Sequence, residues 1–155
     1  MSSTRDQYLL REAYRHALYS RDPSTRVGAV LAHEDHIISA GFNDFPEGIT
    51  QSEERWTNRD LKLRLIVHAE MNAVLAAAKK GRRLSGSTLY LCATDDSGLV
   101  WGGCPCVRCT VELLQAGIRE VVSYPFKGGF SKWEAELREA KLLLAEAGIA
   151  YREIA

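Results

Sequence analysis

Four residues carry the chemistry this chain can do: His68 and Glu70, two apart, and Cys106 and Cys109, three apart behind Pro105. An imidazole and two thiolates suit zinc. Three protein ligands leave a tetrahedral zinc one open position, which is the mark of a catalytic site rather than a structural one. Zinc lowers the pKa of a water at such a position toward about 7. Glu70 is the fourth group, a carboxylate that need not bind metal and can accept and return protons. Together they predict metal-assisted hydrolysis without an organic cofactor. Cys104 is the one residue able to close the site with a fourth ligand. It precedes Pro105 and lies off the helix face that Cys106 and Cys109 share, so it is read as a non-ligand.

Two helix starts must bring these groups together. A helix over 68–80, with Met71, Val74, Leu75 and Ala78 along one stripe and Gly81 beyond it, would open on His68. A second, over 106–115 and ended by Gly117, would open on the cysteines, where the helix dipole favours thiolate and Pro105 is tolerated. Around them the pattern predicts a helix over 5–20, stopped by Asp22-Pro23-Ser24, and strands over 27–32 and 37–42 joined as a hairpin through His33-Glu34-Asp35-His36. Residues 43–64 read as a long polar loop, too long for a simple connection and therefore functional. Strands over 88–92, 121–124 and 149–154 alternate with the helix over 106–115 and one over 133–147, which implies parallel neighbours. The expected architecture is a three-layer α/β domain, with an open-sheet ligand site at the strand ends.

At 155 residues the chain is expected to form one domain, 1–155. Twenty Lys and Arg balance 20 Asp and Glu, so no global field attracts nucleic acid or an anionic membrane. The N-terminal residues lack an apolar signal core, and no apolar run approaches the roughly 20 residues that cross a bilayer. Three of the four cysteines lie within one hexapeptide, a metal-binding pattern that suits a reducing, cytoplasmic setting. Cys92 reads as a core residue, His16 as a satisfied semi-buried histidine, and His33 and His36 as solvated turn residues.

With these residues in hand, the chain resembles the cytidine and deoxycytidylate deaminase superfamily, whose signature is His-x-Glu with Pro-Cys-x-x-Cys. The likeness runs through Asp22-Pro23-Ser24-Thr25-Arg26-Val27-Gly28-Ala29, Gly41-Phe42-Asn43-Asp44, His68-Ala69-Glu70-Met71-Asn72-Ala73 and the cysteine cluster, and the first and third of these segments draw it toward the dCMP (deoxycytidylate) branch. The resemblance implies a three-layer α/β/α cytidine deaminase-like fold with a five-stranded mixed sheet, the hairpin first and the parallel strands after it. It implies hydrolysis of dCMP to dUMP and ammonia, feeding thymidylate synthesis, with one Zn2+ on His68, Cys106 and Cys109 and with Glu70 as proton shuttle. It further implies that Asn43 contacts the sugar and that Ser24, Thr25 and Arg26 hold the phosphate. Ala69 and a site-facing Tyr124 become further substrate contacts.

Family likeness also implies a homo-oligomer, hexamer or dimer, and dCTP and dTTP effectors acting with Mg2+. The effector loop here reads Gly41-Phe42-Asn43-Asp44 in place of Gly-Tyr-Asn-Gly, and the segment 52–62 is unusually charged. Alternative substrates for the same metal chemistry are a modified dCMP, a free nucleoside, guanine or tRNA adenosine, the last disfavoured by the neutral charge. A zinc-containing nucleotide sensor is the non-enzymatic alternative.

Overall fold

The computed structural model describes residues 3–127 and 131–155. Helix α1 (Thr4–Ala17) begins where the Ser3 side chain accepts the Asp6 amide, and it buries Leu9, Leu10, Ala13 and Ala17 at helical spacing. Strands β1 (Thr25–His33) and β2 (His36–Phe42) follow, then two short helices, α2 (Glu53–Thr57) and α3 (Arg59–Leu65). The chain continues through α4 (Ala69–Lys79), β3 (Thr88–Asp95), α5 (Val107–Ala116), β4 (Glu120–Ser123), α6 (Ser131–Glu146) and β5 (Ala150–Glu153).

The five strands form one open sheet in the order β2-β1-β3-β4-β5. The pairs β1–β2 and β1–β3 are antiparallel, whereas β3–β4 and β4–β5 are parallel, so the sheet is mixed as expected. Alternate residues face opposite layers. Val30, Ala32, Tyr90, Cys92 and Val122 pack with Leu9, Leu10 and Ala13 of α1. Their neighbours Ala29, Leu31, Leu89, Leu91 and Val121 pack with Ala69, Ala73 and Ala77 of α4, Leu113 of α5 and Leu144 of α6.

Where α4 crosses β2 there is no room for a side chain. A Cβ on Gly41 would lie 2.5 Å from the Ala73 amide nitrogen and 2.7 Å from the Ala69 carbonyl oxygen. Ser39 adds a hydrogen bond of 2.7 Å from its hydroxyl to the Ala73 carbonyl. Backbone contact therefore fixes α4 against β2.

The segment read as a plain loop over 43–64 is a correction: it contains α2 and α3. Neither helix buries a residue, so neither carries the apolar periodicity by which helices are found in sequence. Side-chain caps define them instead. Ser52 accepts the Arg55 amide, and Asn58, which ends α2, accepts the Leu61 amide at the start of α3. Among the described residues, no helix is long and apolar enough to cross a membrane.

Candidate active site

His68 is the N-cap of α4 and Cys106 the N-cap of α5, each one residue ahead of the first helical turn. His68 makes no side-chain capping bond, which leaves its ring free to turn away from its own helix. Cys106 caps α5 through sulfur, its Sγ accepting the Cys109 amide at 3.5 Å. The two helix starts converge so that His68 Nδ1 lies 3.6 Å from Cys106 Sγ and 3.3 Å from Cys109 Sγ.

All three donor atoms lie within 4.8 Å of one another. With Zn–S near 2.3 Å and Zn–N near 2.0–2.1 Å, the N···S edge of a tetrahedral zinc site is about 3.6 Å. The donor set fits zinc in both type and spacing, and the ring nitrogen that faces the sulfurs is Nδ1. Cys104 stays outside the cluster. It is buried, and its thiol donates to the Leu137 carbonyl at 3.4 Å while burial pushes its pKa up to about 12.

Taken as side chains alone, the donors share protons strongly. The bond from Cys109 to Cys106, with that from His68, pulls the Cys106 thiol well below its ordinary range, and the same sharing plus burial pushes Cys109 up. The bond to Cys106 raises His68 to about 9. Glu70, in the first turn of α4, is only 4% exposed, and burial raises its carboxyl to about 7 against the opposing pull of His68. A carboxyl poised there exchanges protons readily at neutral pH.

A sequence profile described as the cytidine and deoxycytidylate deaminase zinc-binding region matches residues 3–124. The chain belongs to this family. A probable deoxycytidylate deaminase from Caenorhabditis elegans is 32% identical over 152 residues, covering 96% of this chain and 68% of that one. An uncharacterised deaminase from Aliivibrio fischeri is 31% identical over 132 residues, covering 84% and 80%. The solved dCMP deaminase of cyanophage S-TIM5, in complex with dCMP and dUMP, shares the fold at a TM-score of 0.71 and 20% identity, with 99% of each chain covered.

In this deaminase the other predicted substrate residues do not all face the metal corner. Asn43 is turned inward and 6% exposed. Its Oδ1 accepts the Val27 amide at 2.8 Å, while its Nδ2 donates to the Thr25 carbonyl at 2.9 Å and to Asp22 Oδ2 at 3.3 Å. Those partners fix the orientation of the amide and use both of its N–H groups, so Asn43 has no donor left for a sugar. Asn43 laces the end of β2 to the start of β1, and a sugar hydroxyl could reach it only as a donor to the second lone pair of Oδ1.

The amides of Ser24 and Thr25 are likewise taken, both donating to Asp22 Oδ1, which also receives Lys62 Nζ at 2.8 Å. A phosphate contact there would have to use the hydroxyls of Ser24 and Thr25. Thr25 shares its face of the sheet with Val27 and Ala29, the α4 side, whereas Arg26 falls on the α1 face with Gly28 and Val30. Arg26 Nε is buried without a hydrogen-bond partner.

Tyr124 also lies on the α1 face, packed beside Leu10, Arg11 and Ile154, and does not face the His–Cys corner as expected. Its backbone carbonyl does reach that side indirectly, accepting the Gly103 amide at 3.1 Å. Ala69 is fully buried, so only its backbone at the first turn of α4 remains for a ligand.

Sequence reasoning missed Asn72, one turn beyond His68, whose Nδ2 donates to the Phe42 carbonyl at 2.7 Å and to the Val67 carbonyl at 3.3 Å. It also missed the two-bond bridge between Asp44 and Val67. Together these fix the residue just before His68 against β2. The histidines set aside stay apart from the site. His16 Nδ1 lies 2.9 Å from the Glu12 carbonyl, and His33 and His36 line a hollow of about 320 Å³ at the β1–β2 turn, at the other end of the strands. Cys92 is buried in the core.

Proposed function

We propose that this deaminase hydrolyses dCMP to dUMP and ammonia, supplying dUMP for thymidylate synthesis. The observation that carries the chemistry is the convergence of His68 Nδ1, Cys106 Sγ and Cys109 Sγ at zinc-ligand spacing beside a buried, proton-exchanging Glu70. His68, Cys106 and Cys109 would hold the ion, which when bound supplies Lewis-acid activation of water near neutral pH.

Glu70 then manages the protons. Its carboxylate takes one proton from the attacking water and gives it to the ring N3, so that C4 gains an oxygen and becomes tetrahedral. A second proton, from the added hydroxyl, passes through the same carboxyl to the 4-amino group. The C–N bond breaks, ammonia leaves, and a C4 carbonyl remains. Burial of Glu70 serves this relay, because a carboxyl near neutrality is as ready to release a proton as to accept one.

The choice of dCMP is supported by the deoxycytidylate deaminases among the relatives. Its phosphate contact rests on the Ser24 and Thr25 hydroxyls; Arg26, whose side chain starts on the α1 face, would take part only by reaching round the strand end with its guanidinium tip. A homo-oligomeric, cytoplasmic enzyme is the setting we infer, with dCTP and dTTP acting through Mg2+ as the regulatory option. The test is ammonia release from dCMP, deoxycytidine, CMP and dCTP, with dCTP and dTTP also added separately as effectors. We expect kcat/KM for dCMP to exceed that for deoxycytidine by at least about 100-fold, roughly 3 kcal/mol of phosphate recognition. Equal rates would sink the phosphate assignment, and no ammonia from any substrate would sink the deaminase reading.

A further inference from the structure

We infer that Glu136, on α6, is a positioning residue for the metal-binding helix start. Its Oε1 accepts the backbone amide of Val107 at 3.0 Å, the first residue of α5 and the neighbour of Cys106. The first turn of α5 has no acidic residue of its own. The N-terminal amides of a helix need acceptors from outside its ladder, and α6 provides one across 29 residues of sequence.

The contact is part of a clamp. Leu137, the next residue of α6, accepts the Cys104 thiol at 3.4 Å. The side chain of Leu137 also stands 3.3 Å from where a Cβ on Gly103 would be. Consecutive residues of α6 thus grip the chain on both sides of Pro105, before and after the turn that delivers Cys106. Within α5, Cys106 Sγ accepts the Cys109 amide and the Cys106 carbonyl accepts the Thr110 amide. With the Val107 amide held by Glu136, the turn that carries both sulfurs is tied at each of these points.

A carboxylate here has two effects on the same site. It fixes the approach of the sulfurs to His68 Nδ1, and its negative charge at the helix start favours a cation in the corner over two unneutralised thiolates. Glu136 bonds the backbone beside Cys106 and not a ligand atom, so it acts through Val107 and Cys106. The inference rests on reading His68, Cys106 and Cys109 as a zinc site.

The test is zinc affinity, measured by competition with a chromophoric chelator in wild type, Glu136→Ala and Glu136→Gln. Co2+ spectra and the thermal midpoint of each zinc-free protein are recorded alongside. We expect Glu136→Ala to weaken zinc binding by about tenfold or more and to alter the cobalt–thiolate bands. Glu136→Gln, which keeps an acceptor oxygen, should recover most of that affinity. The zinc-free midpoints should change little. If Glu136→Ala does not fold, a Glu136→Gln protein that binds as tightly as wild type supports the acceptor role, and one that loses tenfold overturns it. Wild-type affinity in Glu136→Ala, or equal losses in Ala and Gln, overturns the positioning role while leaving the zinc site standing. A wild type that takes up no zinc overturns the site reading and this inference together.

Discussion

Two polar clusters sit near the same end of the sheet and differ in kind. At the His68–Cys106–Cys109 corner the side chains lean chiefly on one another, and proton affinities there are displaced: His68 up to about 9, the neighbouring Glu70 up to about 7. At the Asp22–Asn43 corner every carboxylate and amide group has a conventional partner, from Val27, Thr25, Ser24 and Lys62. The first corner is strained toward chemistry and the second is satisfied as scaffold. Polar residues in a family motif can belong to either class, and hydrogen-bond saturation separates them better than motif membership does.

The largest effect should come from Glu70. Glu70→Gln keeps the shape and removes the proton relay, so kcat should fall by about 10³-fold or more while zinc content and thermal midpoint stay near wild type. Steady-state ammonia release with metal analysis checks this. Activity within tenfold of wild type would break the contrast at its open side.

The next effect belongs to Asn43. Asn43→Ala leaves the Val27 amide and Thr25 carbonyl short of a buried partner, which should cost about 2–3 kcal/mol. That corresponds to a midpoint lower by roughly 5–10 °C, with kcat of the folded enzyme within about threefold and zinc retained. Calorimetry beside kinetics decides it. An unchanged midpoint with a much larger KM would show that Asn43 faces ligand after all and that the second corner is not scaffold.

The smallest effect concerns a third satisfied cluster, at the start of α1. Burial works against the Asp6 carboxylate, but Arg152, Tyr90 and Ser3 outweigh it and lower Asp6 from 3.8 to about 2. A folded pKa below the unfolded one gives stability that is complete above about pH 4 and is lost as pH falls through about 2. With Arg152 partly exposed, the contribution is on the order of 1–2 kcal/mol. Asp6→Asn should lose that amount at pH 7 and flatten the stability profile between pH 4 and 2, as read by urea unfolding at each pH.

How much was legible follows from the physics of each region. The metal corner was readable because ligand chemistry restricts residue type and a helix start restricts spacing, so His68, Cys106 and Cys109 announce themselves locally. The element order and the mixed sheet were readable from runs and breakers. The facing of Tyr124 was not. Both faces of β4 are covered, so Val121 and Val122 are equally buried and period-two alternation carries no inside and outside. The bridging bonds of Asn43 were not readable, because its partners lie 16 to 21 residues away and turn chemistry looks the same whether an amide points in or out. Glu136 had no signal at all, since its bond is to a backbone amide 29 residues upstream.

The contact of Gly41 with the backbone of Ala69 and Ala73 bears on how this protein can change over time. The helix carrying Glu70, with His68 at its N-cap, cannot be drawn closer to β2, because no removable side-chain atoms stand between them. Trimming side chains at this contact therefore cannot make room beside those residues; the stretch between Asp44 and Val67, which holds α2 and α3, is built differently. Neither of those helices buries a residue, so substitutions there cost folding little except at Lys62, which donates to the buried Asp22, and Trp56, which stacks on Phe45. The wall is closed to change, and the lightly anchored stretch is where the sequence can drift most freely.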